Sequence, residues 1–254
     1  MKLSFSWLAL LAAGLMFLSV PQTASAQNYG HLTGQVVLDG AVPKIAPLKL
    51  GEKDQAVCAV KPPLPDNRLI VDDDSNGIAN VLVYLKKAPR NIHPDLKESK
   101  EKTIVFDQKN CRFEPIMLLV RTDQTVLVKS DDPINHNTHT HPFANKEENF
   151  LVQPNDREGV PVQYKVPEFF PTKVNCDLHP HMIAYWMVLD HPYMTLTDEE
   201  GKFKIENLPT GRHEFAIWHE RVGWVEKTLN VSIKSDATED LGQIKLPASK
   251  IKTE

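Results

Sequence analysis

Nineteen prolines are spread along the 254 residues of this chain, and the stretches between them are mostly short runs rich in valine, isoleucine and threonine. Proline removes a backbone donor and clashes with the preceding helical turn, so such spacing leaves no room for long helices. Short β-branched runs between turn residues are the pattern of strands. An all-β chain is therefore expected.

The strands can be placed approximately. His31 to Leu38 alternates up to the turn Asp39-Gly40; Arg68 to Val71 and Ile78 to Leu85 follow, separated by Asp72 to Gly77. Residues 41–68 are proline-rich and irregular, and 86–102, full of Lys, Glu and Pro, read as a solvated linker. Denser strands then come at Thr103–Phe106, Arg112–Met117, Leu118–Arg121 and Thr125–Lys129. Polar residues 144–160 read as a loop, and Val162–Val166 and Thr172–Asn175 as strands. Met182 to Leu189 is apolar throughout, as a strand buried on both faces would be. Tyr193 onward, Lys202–Ile205, Glu214–Trp218 and Lys227–Ile233 complete the set, with turns at Asp198–Gly201 and Asn207–Gly211 and a disordered tail beyond Pro247.

Residues 1–26 have the layout of an export signal: Lys2, an apolar stretch from Leu8 to Val20, and the small-residue site Ala24-Ser-Ala26. Cleavage there sends the chain, from about Gln27, to the periplasm or outside as a protein without a membrane span. The net charge of −4 comes with no basic stripe, which argues against nucleic acid as a partner. Acid pairs such as Asp131-Asp132 and Glu147-Glu148 read as solvated faces. Three cysteines in an oxidising compartment leave one over. Cys58 and Cys111 are the natural disulfide pair, because Cys176 has metal-ligand company.

That company is the run Cys176-Asp-Leu-His179-Pro-His181-Met182, with His136, His139 and His141 some distance upstream. A thiolate, imidazoles and a thioether form the donor set that suits copper alternating between two oxidation states. One cysteine with two or three histidines also suits zinc, although a methionine in the fourth place does not.

The stretch 102–190 resembles the cupredoxins, the blue-copper sandwiches that include plastocyanin and amicyanin. The likeness is carried by Phe113-Glu-Pro, by Leu119 to Val126, by Ser130-Asp-Asp-Pro-Ile-Asn-His136-Asn137, and by Cys176-x2-His179-x2-Met182. It implies one type 1 copper held by His136, Cys176, His179 and Met182, with Asn137 bracing the two ligand loops. His139, His141 and His181 are possible alternative ligands, and His139-x-His141 could hold a second copper. The resemblance also implies that His179 reaches the surface, where Pro180, His181 and Ile183 would make an apolar patch for a redox partner. Two departures stand out: Lys173-Val-Asn175 lacks an aromatic residue before the cysteine, and Ala184 stands where glycine is common.

The flanks resemble the carboxypeptidase-regulatory or transthyretin-like sandwich. Gly34-Gln-Val36 and Ile78-Ala-Asn-Val81 match its first part, Thr197-Asp198-Glu-Glu-Gly201-Lys-Phe203 and Leu208-Pro-Thr-Gly211 its second. The expected fold is thus a cupredoxin Greek-key sandwich inserted in, or adjacent to, a transthyretin-like β-sandwich. In the inserted form the second sandwich is discontinuous, 27–95 plus 191–248, with 249–254 as tail. Three consecutive small domains are the rival layout. Exported proteins of this mixed kind are labelled methylamine-utilisation or plastocyanin-like.

His191, His213, His219, Trp218 and Trp224 read as packing residues of the flanking sandwich, with Trp218-His219-Glu220 a possible metal site or contact with the copper segment. No nucleophilic triad, phosphate loop or zinc-protease motif is visible, and a single cupredoxin segment cannot build an interdomain catalytic copper, so an enzyme is not expected. The leading expectation is a copper electron carrier working with redox protein partners. A non-redox copper or zinc binder, and a metal-free structural or adhesion module, are the alternatives.

Overall fold

The computed structural model describes residues 28–48, 50–51, 54–55, 58 and 66–253, so the export signal expected over 1–26 lies outside the described residues. The strands are β1 (Tyr29–Asp39), β2 (Leu82–Leu85), β3 (Thr103–Lys109), β4 (Arg112–Glu114), β5 (Met117–Arg121) and β6 (Thr125–Val128). There follow β7 (His136–His141), β8 (Asn149–Val152), β9 (Val160–Val162), β10 (Thr172–Asn175) and β11 (Ile183–Leu189). The last five are β12 (Met194–Leu196), β13 (Lys202–Pro209), β14 (Gly211–His219), β15 (Gly223–Ile233) and β16 (Thr238–Pro247). The protein is all-β; among the described residues no helix is long and apolar enough to cross a membrane.

Among the described residues four sheets result, ordered β13-β1-β16, β12-β2-β14-β15, β5-β11-β10-β7-β8 and β4-β3-β6-β9. The first two hold β1 and β2 together with strands that all come after residue 190. The other two hold only strands from the stretch between. One apolar core, including Leu32, Val36, Val83, Phe203, Phe215 and Ile217, fills the space within the first pair of sheets. A second, including Phe106, Phe113, Val128, Val174 and Trp186, fills the second pair.

A third cluster glues the two sandwiches together. Side chains alternate across a strand, so one run can serve two cores. On β11, Ala184, Trp186 and Val188 face the second core, while Met187 and Leu189 meet Leu82 and Tyr84 of β2 and Ala216 of β14. On β2, Val83 and Leu85 face the first core in the same way. Tyr185 and Trp218 meet edge to face across this junction, ring centres 4.7 Å apart. This is why both strands read as unbroken apolar runs. Burial of each large side chain there contributes about 1.5–3 kcal/mol.

Several expectations are corrected. Arg68 to Val71 forms no strand; Val71 makes a single bridge to Ile78. The polar stretch 144–160 contains β8, and the strand expected at Val162–Val166 is instead β9, ending at Val162. β7 and β16 are rich in His, Asn, Thr and charged residues, which hide their pattern, and β8, Asn149-Phe-Leu-Val152, is a short run set among polar neighbours. Beyond Pro247, Ala248–Lys250 make a 3-10 turn and Ile251 packs into the first core, 7% exposed.

Candidate metal centre

β7 and β10 are antiparallel neighbours, with His139 opposite Asn175. Their alternation sends His136 inward from the start of β7, while Cys176 follows the end of β10. Both are fully buried. The loop after Cys176 is short and closed by its own backbone. The Met182 N–H donates to the His179 carbonyl (2.8 Å), and the Cys176 N–H to the Met182 carbonyl (3.2 Å). This returns His179 to a position above the cysteine.

The result is a triangle of donor atoms. Nδ1 of His136 lies 3.0 Å from Nδ1 of His179; Cys176 Sγ lies 4.0 Å from the first and 3.6 Å from the second. Corners of such a triangle are all roughly 2 Å from its centre, the length of a metal–imidazole bond and slightly short of a metal–thiolate bond. The donor set therefore fits a single transition-metal ion. Met182 is 1% exposed and shares the Cys176 core.

Each imidazole turns its far nitrogen to a carboxylate. His136 Nε2 meets Asp132 Oδ2 at 2.8 Å, and His179 Nε2 lies 3.5 Å from Asp54 Oδ1. Carboxylates in this place fix ring orientation and strengthen the ligand nitrogen. Asp132 is itself held by the β3–β4 hairpin turn. Asn110 and Cys111 both have positive φ, so their N–H groups point together at its carboxylate, at 2.6 and 2.8 Å. Asp132 is thus no member of a solvated face, as the acid pair Asp131-Asp132 suggested. It is buried, and Asp131 alone is exposed.

Asn137 joins the loops. Its N–H points at Cys176 Sγ (3.4 Å), and its Oδ1 accepts from the thiol (3.3 Å) and from the Asp177 N–H (2.7 Å). Its Nδ2 donates to Asn149 and Asp177. Burial pushes the Cys176 thiol up, but bonds from His136, His179 and the Asn137 N–H outweigh it and bring it down to about 6. Burial pushes His136 down; Asp132 and Cys176 outweigh it and raise it to about 9. The two shifts run in the same sense, each lowering the cost of charge on the other partner.

The remaining candidates lie elsewhere. His139 and His141 sit on the outer face of β7, away from the triangle. His181 donates through Nε2 to the Cys111 carbonyl (3.1 Å), tying the loop to the hairpin turn. Cys111 is bonded to Cys58 and so offers no thiolate. His213 donates to the Pro209 carbonyl, and His191 and His219 accept backbone N–H groups within their own turns.

The expectation that His179 reaches the surface is overturned: it is 6% exposed. Asp54, from a helical turn far upstream, stands beside its outer nitrogen, and the disulfide Cys58–Cys111 pins that upstream segment to the hairpin. Asp177, Leu178, 51% exposed, and Pro180 are the exposed residues of the loop. Asp54 and Asp132 were not recognisable in the sequence as site residues, because neither lies in the spacing that marks the ligands.

No protein-family model matches the chain, and no curated protein matches it. Among solved structures it is similar to a purple cupredoxin from Nitrosopumilus maritimus, at 17% identity over 33% of this chain and 97% of that one, with a TM-score of 0.28. A reduced amicyanin mutant is 16% identical over 42% of this chain and 97% of its own, TM-score 0.30. A copper-containing nitrite reductase from Thermus scotoductus SA-01 is 16% identical over 34% of this chain and 22% of its own, TM-score 0.28.

Proposed function

We propose that this chain is an exported type 1 copper protein that passes single electrons between redox partners, its copper held by His136, Cys176, His179 and Met182. The observation that carries this reading is the buried triangle of one thiolate sulfur and two imidazole nitrogens, with a thioether in the same core. We also take the two sheets of the stretch 102–190 to be a cupredoxin unit inserted into a discontinuous transthyretin-like sandwich. The division of strands among the sheets supports that layout.

A bound copper ion supplies a one-electron couple. The protein's part is to keep the donors where both oxidation states tolerate them. A soft thiolate with two imidazoles and a weak thioether satisfies neither copper(I) nor copper(II) fully, so little needs to move on electron transfer. Asp132 and Asp54 hold the rings, and Asn137 holds the sulfur. The His136 and His179 rings and the Asn137 N–H around the sulfur favour Cys176 as thiolate, and His136 would hold the ion as a neutral ring. The Cys58–Cys111 disulfide supports an oxidising compartment, in keeping with the export signal.

The test is to add copper(II) to the purified mature protein. An intense blue thiolate-to-copper band is expected, absent from Cys176→Ser. A colourless complex would instead favour storage or delivery of copper or zinc, and no binding would favour a structural module.

A further inference from the structure

Cys176 is flanked by Asn175 and Asp177, and where Cys176 turns into the core its two neighbours turn out. They meet the outer face of β7, where His139 and His141 stand side by side, ring centres 4.1 Å apart. Glu147, from the turn between β7 and β8, reaches the same spot. One ligand atom from each of His139, His141 and Glu147 falls within 4.8 Å of the other two.

We propose that His139, His141 and Glu147 form a second, exposed binding site for a borderline divalent cation, zinc or copper(II), separate from the buried centre and independent of the copper reading of it.

The orientation of both rings carries the inference beyond mere proximity. His139 Nδ1 meets the Asp177 carboxylate at 3.0 Å, which leaves Nε2 facing Glu147 Oε1 at 2.6 Å. His141 Nε2 meets Asn175 Oδ1 at 2.6 Å, which leaves Nδ1 for a ligand. The Asn175 amide is itself oriented, because its Nδ2 donates to Asp177 Oδ1 at 2.8 Å; the oxygen must therefore face His141. Each imidazole thus has one nitrogen committed to an acceptor, Asp177 for His139 and Asn175 for His141, and one left over, that of His139 already meeting Glu147. Ligand histidines are held in this way in metal sites. Two imidazoles and a carboxylate suit zinc or copper(II), not the soft copper(I) ion.

An ordinary ion pair accounts for less. A bond from His139 to the exposed Glu147 contributes little in water. It gives no reason for a second imidazole two residues on, nor for an amide fixed to hold it. Glu147 and Asp177 bring two negative charges to the two rings, so a divalent cation replacing the His139 proton leaves the cluster close to neutral.

The experiment uses the full mature protein with its disulfide intact. Wild type, Cys176→Ser and the double variant His139→Gln/His141→Gln are dialysed against zinc at neutral pH, and bound zinc is counted by elemental analysis. The double variant is expected to bind one zinc fewer than wild type. Cys176→Ser is expected to keep that zinc, and Glu147→Gln to hold it about tenfold more weakly. In a zinc titration of Cys176→Ser, which lacks the buried thiolate, the imidazole NMR signals of His139 and His141 should move and saturate together. A double variant that binds as much zinc as wild type, or histidine signals that do not move, overturns the proposal. Thermal unfolding of the double variant checks that it folds; both rings lie at the surface, so no loss of structure is expected.

Discussion

Asp54 Oδ1 lies 3.5 Å from Nε2 of His179, so the imidazole on the ligand loop ends against a carboxylate supplied by the far upstream part of the chain. In the proposed centre this ring is a ligand, and its outer edge is covered by that carboxylate. Replacing Asp54 by Ala should therefore speed electron exchange between the copper-loaded protein and a small anionic oxidant. A gain of roughly threefold to tenfold is expected at low ionic strength, shrinking as salt is added. Stopped-flow rates for the two proteins test this; equal rates would mean that electrons do not use the His179 edge.

The covering segment is held by the bond between Cys58 and Cys111, which are 53 positions apart. Closing a loop of that size restricts the unfolded chain, and its loss typically costs about 2–4 kcal/mol. Cys58→Ser/Cys111→Ser should lose that much stability in denaturant unfolding. Wild type in reductant should behave the same way.

Asn137 makes hydrogen bonds to both loops of the centre from a 5% exposed position. Asn137→Ala leaves the Asp177 N–H without its acceptor and removes the Nδ2 bonds to Asn149 and Asp177, a loss of about 1–3 kcal/mol. Equilibrium unfolding of the metal-free protein measures it. A change below about 0.5 kcal/mol would mean that Asn137 does not brace the loops.

Away from the centre, His191 is fully buried, and its Nδ1 accepts the Tyr193 N–H. Burial holds it down to about 4 from an ordinary 6.5. Above 6.5 both folded and unfolded chains carry the neutral ring. As pH falls from 6.5 to 4 the unfolded chain takes up a proton that the folded one refuses, so stability is lost across that window. His191→Asn keeps the acceptor without the titration. The stability difference between wild type and variant should shift against the wild type by about 3 kcal/mol between neutral pH and pH 4. A pH-independent difference would contradict the assignment.

Much of this was legible in the residues. Proline spacing and β-branched runs gave the fold class. The unbroken apolar run of β11 announced a strand with two buried faces, and Cys176, His179 and Met182 lie on one tight loop whose spacing alone marks them. His136 could not be separated from His139 by spacing. Strand alternation separates them, one inward and one outward, and β7 is too polar to be read as a strand beforehand. Asp132 looked like half of an exposed acid pair, because nothing local reveals that a hairpin turn more than twenty residues earlier points two N–H groups at it. Asp54 was illegible for the same reason: its role depends on a distant disulfide. Beyond Pro247 the sequence carries no strand pattern, because among the described residues there Ile251 alone is buried.

The central claim is that one sulfur and two imidazoles meet a single ion. X-ray absorption at the copper edge of the copper-loaded protein tests this most directly. One short copper–sulfur contact with two imidazole nitrogens is predicted, the sulfur disappearing in Cys176→Ser. A shell of nitrogen and oxygen alone would contradict it.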